Sequence, residues 1–484
     1  MFLGIDLGTS EVKVFLMDET GHGIAVARAP LGISRPQARW SEQSPEDWWR
    51  ETLKAVDQLR QTHPAELAAV NGIGLSGQMH GAVLLDRTDR PLRPVILWND
   101  ARSDVQCLEL TRRAPSLQAI AGNLAMPGFT APKLLWVAEH EPEIFSHIAS
   151  VLLPKDYLRL QLTGEKVSDV SDASGTLWLD VAQRQWSRAL IEATGLSVGQ
   201  MPALMDGNAV SGGIRTELAQ RWGMAPSVII ACGAGDNAAS AVGIGAVAAG
   251  DGFLSLGTSG VIFIVDEEFR PNAESAVHTF CHTLPQRWHR MSVMLSAASC
   301  LSWATRLVGA RNETSFIEEI AAVPENALER APLFLPYLSG ERTPHNDSRA
   351  QGLFFGLTHD VDRALLGYSV LEGVAFGLAD GWAALDTPMA SALSLVGGGT
   401  RSSYWAQLIA DVLNVPLEAH AACEAGAALG AARLAQLACG ASENEVCRKP
   451  QTTSTFLPRK ARRVFLLERR ARFRDLYSSS RSRA

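Results

Sequence analysis

The chain has 484 residues, more than one hydrophobic core usually supports, so two domains are expected. Hydrophobic residues make up 46% and charged residues 20%, which is typical of a globular protein and excludes a disordered or fibrous one. The net charge of −7 argues against a general nucleic-acid-binding protein. The seven cysteines are scattered and form no C-x-x-C pair, so they indicate neither a disulfide framework nor a zinc site.

The chain contains no segment with the character of a membrane span or a leader. Its most apolar uncharged run, residues 237–250, has 14 residues and is too short to cross a bilayer. The N-terminus lacks a basic segment followed by an apolar stretch. We therefore expect no membrane partner and a cytoplasmic location with reduced thiols.

The predicted elements begin with a strand, a tight turn and a second strand over residues 2–18, and a third strand follows near residues 23–30. Ser44 and Pro45 have the character of a helix start, as N-cap and first helical residue. Strands are then expected in "VNGIGLSG", "GAVLLD" and "ILWND", and a helix in "TAPKLLWVAEHEPEIF". This alternation predicts the α/β class, with mixed sheets covered by helices.

One short phrase occurs twice. Leu-Gly-Thr-Ser stands at residues 7–10 and again at residues 256–259, each time between two apolar runs. The offset of 249 also matches Val12 with Val261. Duplication of one α/β unit is the simplest account, and it predicts an N-terminal lobe over 1–246 and a C-terminal lobe over 247–484.

A Gly-Thr-Ser turn offers unhindered backbone amides and two hydroxyls, which suit phosphate oxygens. For either copy alone, a plain hairpin is the alternative. The pair, with a third glycine-rich turn in "VGGGTRSS", favours a nucleotide cleft between two lobes. The candidate phosphate-binding residues are Gly8, Thr9, Ser10, Gly257, Thr258 and Ser259.

The two copies differ beside the turn. Asp6 is matched by Ser255, and Lys13 by Ile262, so only the first copy has a carboxylate before the turn and a cation after it. A carboxylate beside a triphosphate needs a cation between them, and Mg²⁺ prefers such oxygen ligands. We expect Asp6 to hold Mg²⁺ through water and Lys13 to contact the nucleotide.

Asp236 in "CGAGDNAAS" follows a predicted buried strand and a glycine-rich turn, at the start of a predicted helix. Its ordinary role there would be a helix N-cap. The functional alternative is a general base that removes a proton from an attacking hydroxyl. His80 in "GQMHG" presents a similar choice, because a single histidine at a strand end is often structural.

These motifs together resemble the FGGY carbohydrate kinases, members of the duplicated actin-like, ribonuclease-H-like ATPase fold. The resemblance spans nearly the whole chain, and "GFTAPKLLW" and "GLFFGL" are close to the two signatures of the family. "GQMHG" and "LPYLSGERTPH" point to its xylulose branch. The other motifs that carry it are "IDLGTSEVK", "WSEQSPEDWW", "ILWNDAR", "LLPKDYLRLQLTGE", "SDVSDASGTLWLD", "GAGDNAASAVG" and "LVGGGTRSSYW".

The resemblance implies an ATP- and Mg²⁺-dependent kinase that phosphorylates the 5-hydroxyl of D-xylulose, with Asp236 as general base. It implies that Met79 and His80 line the sugar pocket, where glycerol kinases carry an Arg-Glu pair. Trp98 and Asn99 are further pocket candidates, an aromatic floor and an amide for hydroxyls; core packing is the alternative for Trp98. The family alignment places Gly399 and Ser403 near the adenosine.

Three alternatives stay open at this stage. Another ketopentose or a polyol, such as ribulose, would share every phosphate-binding residue and differ in the sugar pocket. An actin- or Hsp70-like nucleotide-gated protein would need no catalytic aspartate, and a sugar sensor would not need to keep Asp6 and Asp236. A homodimer is one open form of assembly.

The C-terminus is basic. Arg and Lys account for ten of the last 26 residues, and only Glu468 and Asp475 oppose them. A solvated terminal helix is the simpler interpretation, and binding to a polyanion is the alternative.

Overall fold

A computed structural model describes residues 1–387, 392–421 and 426–481, and the structural statements below refer to these ranges. None of the helices in these ranges combines the length and the apolar character that crossing a bilayer requires. The chain alternates short strands with helices, as the sequence pattern predicts. The strands are β1 (Phe2–Leu7), β2 (Glu11–Met17), β3 (Gly23–Pro30), β4 (Glu42–Gln43), β5 (Gly72–Gly77), β6 (Val83–Leu85), β7 (Val95–Ile96), β8 (Ser150–Leu152), β9 (Val167–Asp169), β10 (Leu179–Asp180), β11 (Gln185–Trp186), β12 (Ala203–Met205), β13 (Val210–Gly213), β14 (Ile229–Ala231), β15 (Ala234–Gly235), β16 (Gly252–Leu256), β17 (Gly260–Asp266), β18 (His278–Cys281), β19 (Trp288–Met294), β20 (Leu333–Leu335), β21 (Leu353–Phe355), β22 (Leu393–Val396), β23 (Leu417–His420) and β24 (Thr452–Phe456).

Helices cover the sheets and connect their parallel strands. The helices are α1 (Pro45–Thr62), α2 (Pro64–Ala68), α3 (Asp104–Arg113), α4 (Leu117–Ala121), α5 (Thr130–His140), α6 (Pro142–Ser146), α7 (Pro154–Thr163), α8 (Val170–Ser174), α9 (Arg188–Glu192), α10 (Thr216–Trp222), α11 (Asp236–Ile244), α12 (Ala298–Leu307), α13 (Glu313–Ala321), α14 (Arg363–Leu385), α15 (Ser403–Leu413), α16 (Gly426–Ala438), α17 (Glu443–Val446) and α18 (Arg463–Arg481).

Two mixed sheets share one layout. In the first sheet the strand order is β13-β14-β5-β1-β2-β3, and in the second it is β18-β19-β17-β16-β22-β23-β24. The first strand of each half, β1 or β16, pairs antiparallel with the next strand on one side and parallel with β5 or β22 on the other. The predicted duplication of one α/β unit is confirmed by this shared topology.

The strands of the first sheet alternate between two faces. Leu3, Ile5 and Leu7 of β1 belong to the core that includes the fully buried Trp48 of α1. The intervening residues Gly4 and Asp6 point to the opposite face, because successive side chains of a strand alternate. The polar side chains of the predicted site are therefore set on the face away from α1.

A seam of small residues covers that opposite face. A β-carbon at Gly4 would lie 1.9 Å from the carbonyl oxygen of Ala428, and one at Gly74 would lie 1.8 Å from that of Ala431, both in α16. α16 also packs closely on α11, where a β-carbon at Gly430 would meet a carbonyl oxygen at 1.7 Å. The helix is therefore in backbone contact with the N-terminal sheet, although the predicted division at residue 246 assigns it to the C-terminal lobe.

Proline determines the helix boundaries at two places in the first half. α1 begins at Pro45 after Ser44, as predicted, but the Ser44 hydroxyl bonds the Glu46 carboxylate rather than a helix amide. The single helix predicted for "TAPKLLWVAEHEPEIF" is wrong in one respect, because α5 ends at His140 and α6 starts at Pro142. Proline disfavours helical backbone in the residue before it, here Glu141.

The basic C-terminal segment forms α18, which docks on the rest of the second half. Its Leu466 and Phe473 are buried, and Arg469 forms an ion pair with the buried Glu372 of α14 at 2.6 Å. Arg470 and Arg474 both contact Asp380 of the same helix. Much of the positive charge of this segment is therefore used inside the molecule, where burying an acid requires a partner.

Candidate active site

The first Gly-Thr-Ser turn joins β1 to β2 at the carboxyl end of β1. The turn is closed by a hydrogen bond from the Gly8 amide to the Glu11 carbonyl at 3.0 Å. Within the described ranges, the amides of Thr9 and Ser10 donate to no other residue. Two adjacent backbone donors at a turn tip form the kind of site that binds phosphate oxygens.

Asp6 lies directly behind this turn. In the antiparallel register it stands opposite Lys13, and in the parallel register opposite Ser76. Its Oδ1 is buried and accepts no hydrogen bond from any residue that the structure describes. Burial raises the pKa of Asp6 above its ordinary value, although the charge of Lys13 opposes this shift. An orphaned carboxylate oxygen of this kind fits a hard cation such as Mg²⁺.

Asp236 is the first residue of α11, and the N-cap position is occupied by Gly235. Its Oδ1 accepts hydrogen bonds from the backbone amide of Asn237 at 2.7 Å and from the side-chain amide of Asn237 at 2.9 Å. Burial, with the nearby negative charge of Asp6, raises the pKa of Asp236 to about 6. The carboxylate is thus charged at neutral pH but more basic than an ordinary aspartate, which suits proton transfer.

Met79 packs beside the backbone that presents Asp236. A β-carbon at Gly235 would lie 2.9 Å from the Met79 sulfur, so the methionine side chain is in close contact with this glycine. Gly235 in turn pairs with Gly77 of β5. The apolar wall and the candidate base are therefore held by the ends of two paired strands.

His80 follows Met79 in a left-handed conformation with φ of 71°. Its Nδ1 lies 2.8 Å from the Gly175 carbonyl, which can only accept, so Nδ1 carries the proton. Burial and the charge of Lys133 lower the pKa of His80 to about 3, so the ring is neutral. Lys133 and Thr130 both donate to the His80 carbonyl, at 2.8 and 3.1 Å. Nε2 is therefore a hydrogen-bond acceptor, which suits a sugar hydroxyl.

Trp98 and Asn99 follow β7 and are both exposed. The Trp98 side chain is 47% exposed, yet its indole N–H donates to the Thr9 hydroxyl at 3.0 Å. Thr9 also donates to the Gln78 side chain at 3.0 Å. The core-packing alternative for Trp98 does not match this exposure, and the structure connects Trp98 to the first Gly-Thr-Ser turn.

Sequence reasoning missed Gln43 and Gln78. Gln78 accepts from Thr9, and Gln43 donates to the Thr9 carbonyl at 2.7 Å. The two glutamines also bond each other at 2.9 Å. Gln78 stood inside the motif "GQMHG", but no local pattern indicates that a residue 35 positions earlier joins it.

A buried ionic cluster is connected to the backbone just before Asp236. The Lys155 ammonium contacts Asp156 at 2.6 Å and Asp169 at 2.8 Å, and all three side chains are fully buried. Asp169 accepts from the amide of Ser171, whose hydroxyl accepts from the Gly235 amide at 3.2 Å. The cluster therefore connects to the residue that precedes Asp236.

The second Gly-Thr-Ser turn borders a cavity of about 600 Å³. The Gly257 amide closes this turn onto the Ser259 carbonyl at 3.0 Å, and within the described part of the chain the amides of Thr258 and Ser259 donate to no residue. Gly399 packs on Leu256, and α15 begins at Ser403. The cavity therefore brings together Gly257, Thr258, Gly399 and Ser403 of the predicted nucleotide residues, with Ala298, Leu301, Ile317 and Tyr404 among its other walls.

Comparisons with known proteins agree with this geometry. Residues 1–243 match the model of the N-terminal domain of the FGGY family of carbohydrate kinases, and residues 252–439 match the model of the C-terminal domain. The chain is 51% identical to a xylulose kinase of Escherichia coli strain K12 over 484 residues, which cover 99% of this chain and 98% of that protein.

Solved structures show the same fold over the full length. A crystal structure described as a "xyloylose kinase" from Brucella ovis is 50% identical, with a TM-score of 0.97 and complete coverage of both chains. A xylulose kinase from Rhodospirillum rubrum is 27% identical, with a TM-score of 0.92 over 99% of this chain and 98% of that one. The predicted duplicated ATPase fold is confirmed by these likenesses.

Proposed function

Because the chain belongs to the FGGY family of carbohydrate kinases, we propose that it transfers the γ-phosphate of ATP to the 5-hydroxyl of D-xylulose. The class of sugar follows from the full-length similarity to xylulose kinases. The observation that carries the chemistry is the carboxylate of Asp236, with a pKa of about 6, beside Asp6 and next to Met79. Family membership disfavours the nucleotide-gated alternative.

Asp236 acts as the general base. The attacking hydroxyl must lose its proton as it bonds to phosphorus, and a positioned carboxylate that accepts this proton contributes about 10²- to 10⁴-fold in rate. The two bonds from Asn237 both fall on Oδ1, so they orient the carboxylate. The helix-cap alternative is weakened by Gly235, which holds the cap position.

The sugar is held by Met79, His80, Trp98 and Asn99. The neutral His80 accepts a hydrogen bond from a sugar hydroxyl at Nε2, and Trp98 offers an aromatic surface to the carbons of the sugar. Neither Met79 nor His80 reproduces the Arg-Glu pair of glycerol kinases, which argues against glycerol. The apolar Met79 beside the base helps to exclude water, a competing acceptor.

The nucleotide is held by the two turns. The amides of Thr9, Ser10, Thr258 and Ser259 bind phosphate oxygens, with Gly8 and Gly257 allowing close approach and Lys13 adding positive charge. Gly399 and Ser403 border the adenosine. Asp6 would hold Mg²⁺ through water, and the bound ion would neutralise phosphate charge during transfer.

A panel of acceptors tests the proposal. ADP formation would be measured in a coupled assay with D-xylulose, L-ribulose, D-ribulose, glycerol and L-xylulose. We expect the highest kcat/KM with D-xylulose. A higher value with ribulose would instead favour the second candidate, a kinase for another ketopentose, which shares the phosphate residues and differs around Met79, His80 and Trp98.

Two further expectations concern the whole molecule. We propose a cytoplasmic location, which cell fractionation would check, and a homodimer as one form of assembly, which light scattering of the purified chain would check. Neither bears on the chemistry of the site.

A further inference from the structure

A chain of hydrogen bonds connects two tryptophans through the first phosphate turn. The Trp48 indole donates to the side-chain oxygen Oε1 of Gln43 at 3.0 Å, and the side-chain nitrogen Nε2 of Gln78 donates to the same oxygen at 2.9 Å. Thr9 donates to Gln78 at 3.0 Å, and the Trp98 indole donates to the Thr9 hydroxyl at 3.0 Å. The path runs from a fully buried indole to one that is 47% exposed.

The direction of every bond in this chain is determined. An indole N–H can only donate, so Trp48 requires the oxygen of Gln43, and the nitrogen of Gln43 then faces the carbonyls of Thr9 and Gly32, at 2.7 and 2.9 Å. The side-chain nitrogen of Gln78 donates to Gln43, so the side-chain oxygen of Gln78 faces Thr9 and accepts its hydrogen bond. The single hydroxyl hydrogen of Thr9 is therefore committed to Gln78.

We infer that the Thr9 hydroxyl serves the sugar pocket and not the phosphates. Its hydrogen is used by Gln78 and one of its two lone pairs by Trp98, so it has no hydrogen left to donate to a phosphate oxygen. Phosphate binding at this turn is left to the backbone amides. Thr9 is a positioning residue that fixes the Trp98 indole, an inference that rests on the proposed role of Trp98 in binding the sugar.

Loss of this hydroxyl would act on both of its partners. The Gln78 oxygen lies on a side chain that is 3% exposed, and it would lose its donor in a site that water reaches poorly. The exposed indole would lose the bond that fixes its rotation, because the second side-chain torsion of tryptophan has broad energy wells. The effect is therefore expected on the sugar side of the turn.

The turn itself stays in place without the hydroxyl. The Gly8 amide closes it onto Glu11, and Gln43 holds the Thr9 carbonyl at 2.7 Å. These bonds involve the backbone, so valine at position 9 leaves them intact. ATP binding is expected to depend on them and not on the hydroxyl.

The test compares Thr9→Val with Thr9→Ser. Valine has the shape of threonine without the hydroxyl, and serine keeps the hydroxyl. We expect T9V to raise the KM for D-xylulose by about 3- to 10-fold, as loss of one or two neutral hydrogen bonds predicts, with the KM for ATP changed less than about twofold. T9S should recover most of the affinity for the sugar. Thr62→Val is the matched control, since the Thr62 hydroxyl bonds the Gln58 carbonyl of its own helix at 3.0 Å and the Nδ1 of the neighbouring His63 at 2.8 Å, and none of these residues belongs to the turn.

A rise in the KM for ATP with an unchanged sugar KM would assign the hydroxyl to the phosphates and overturn the inference. So would equal rises in both constants, since a purely structural effect would produce them. Should T9V not fold, as judged by its thermal unfolding, Trp98→Phe removes the other end of the same bond. The sugar KM should then rise while the KM for ATP stays, and unchanged sugar KM would overturn the inference.

A double-mutant cycle adds an independent readout. The combined effect of T9V and W98F on the sugar KM should be smaller than the product of the two single effects, because both changes break the bond between Thr9 and Trp98. A combined effect equal to the product of the single effects would contradict the inference. If the unaltered enzyme does not use D-xylulose, the proposed function fails by itself, and the same cycle is measured with the best acceptor of the panel.

Discussion

The two Gly-Thr-Ser turns have the same sequence and different surroundings. The loop of the first hairpin has four residues, because Leu7 pairs with Val12, whereas that of the second has three, because Leu256 pairs with Gly260. Their registers therefore differ by one residue, and a slip of one residue exchanges the two faces of a strand. Identical turn residues do not ensure identical neighbours.

The consequence is visible opposite the residue that precedes each turn. Lys13 stands opposite Asp6 in the first hairpin, but Val261 stands opposite Ser255 in the second. Ile262, which the sequence offset matches with Lys13, is fully buried in the core on the other face. The second hairpin therefore has neutral residues, Ser255 and Val261, where the first has the charged pair Asp6 and Lys13. The second turn also borders the cavity that we assign to the nucleotide.

The largest effect on activity is expected at Asp236, the proposed base, and it should fall on kcat and not on ATP binding at the two turns. Asp236→Asn should lower kcat by about 10²- to 10⁴-fold, because the amide cannot accept the hydroxyl proton. The KM for ATP should change little, since phosphate binding rests on the turns. Steady-state kinetics would check both constants, and robust turnover by this variant would remove Asp236 as the base.

Asp6→Asn should have the next largest effect, about 10- to 100-fold on activity, the usual cost of losing an outer-shell partner of a metal. Ser255→Ala is the matched change beside the second turn and should cost far less. Titration of Mg²⁺ at saturating ATP would check this, and equal losses in the two variants would contradict a special role for the first turn.

The pH profile tests the same pair of carboxylates. The proposed base, Asp236, can accept a proton only when it is deprotonated, and its pKa is about 6. We therefore expect kcat/KM to be low at pH values below about 6 and to rise to a plateau above it. The negative charge of Asp6 helps to raise that pKa, so Asp6→Asn should move the acid limb to lower pH. If the acid limb of Asp6→Asn has the same midpoint as that of the unaltered chain, the limb reports the titration of a group other than Asp236.

Thr258→Val mirrors the change at Thr9. Thr258 is exposed, and its hydroxyl forms no hydrogen bond with any residue that the structure describes. It is therefore free to donate to a phosphate oxygen. We expect the KM for ATP to rise by about 3- to 10-fold with the sugar KM unchanged, the opposite of Thr9→Val. The same pattern in both variants would mean that the two hydroxyls share one role.

The smallest effect is expected at Arg28, which forms an ion pair with Glu11 beside the first turn. In Arg28→Ala the Glu11 charge is unpaired beside the first turn, where we propose that phosphate binds. The KM for ATP should rise by less than about threefold, since exposed pairs contribute little. The rise should disappear at high salt or in Glu11→Ala/Arg28→Ala. A larger, salt-independent rise would place Arg28 in direct contact with the nucleotide.

The sequence predicted the structural features that depend on residues close together in the chain. The hairpins around both turns, the start of α1 at Pro45 and the helix that begins at Asp236 all follow from local patterns. The break at Glu141 was missed although Pro142 signals it. The bond from Gln43 to Gln78 and the docking of Arg469 on Glu372 depend on residues 35 and 97 positions apart, so no local pattern indicates them.

The register difference shows another limit. An ungapped alignment of the two halves matches Lys13 with Ile262. Only the strand pairing in the structure shows that the two hairpin loops differ in length by one residue. The return of α16 to the first sheet is similarly non-local. Its sequence of glycine and alanine fits close packing, but it does not say against which sheet.

The seam between α11, α16 and the first sheet has a consequence for protein engineering. At Gly4, Gly74 and Gly430 any β-carbon would overlap a carbonyl oxygen at less than 2 Å. A library that varies these positions would consist mostly of unfolded chains. Acceptor preference can be redesigned from the open side of the pocket, around Trp98 and Asn99, whereas the glycines of this seam leave no room for any side chain.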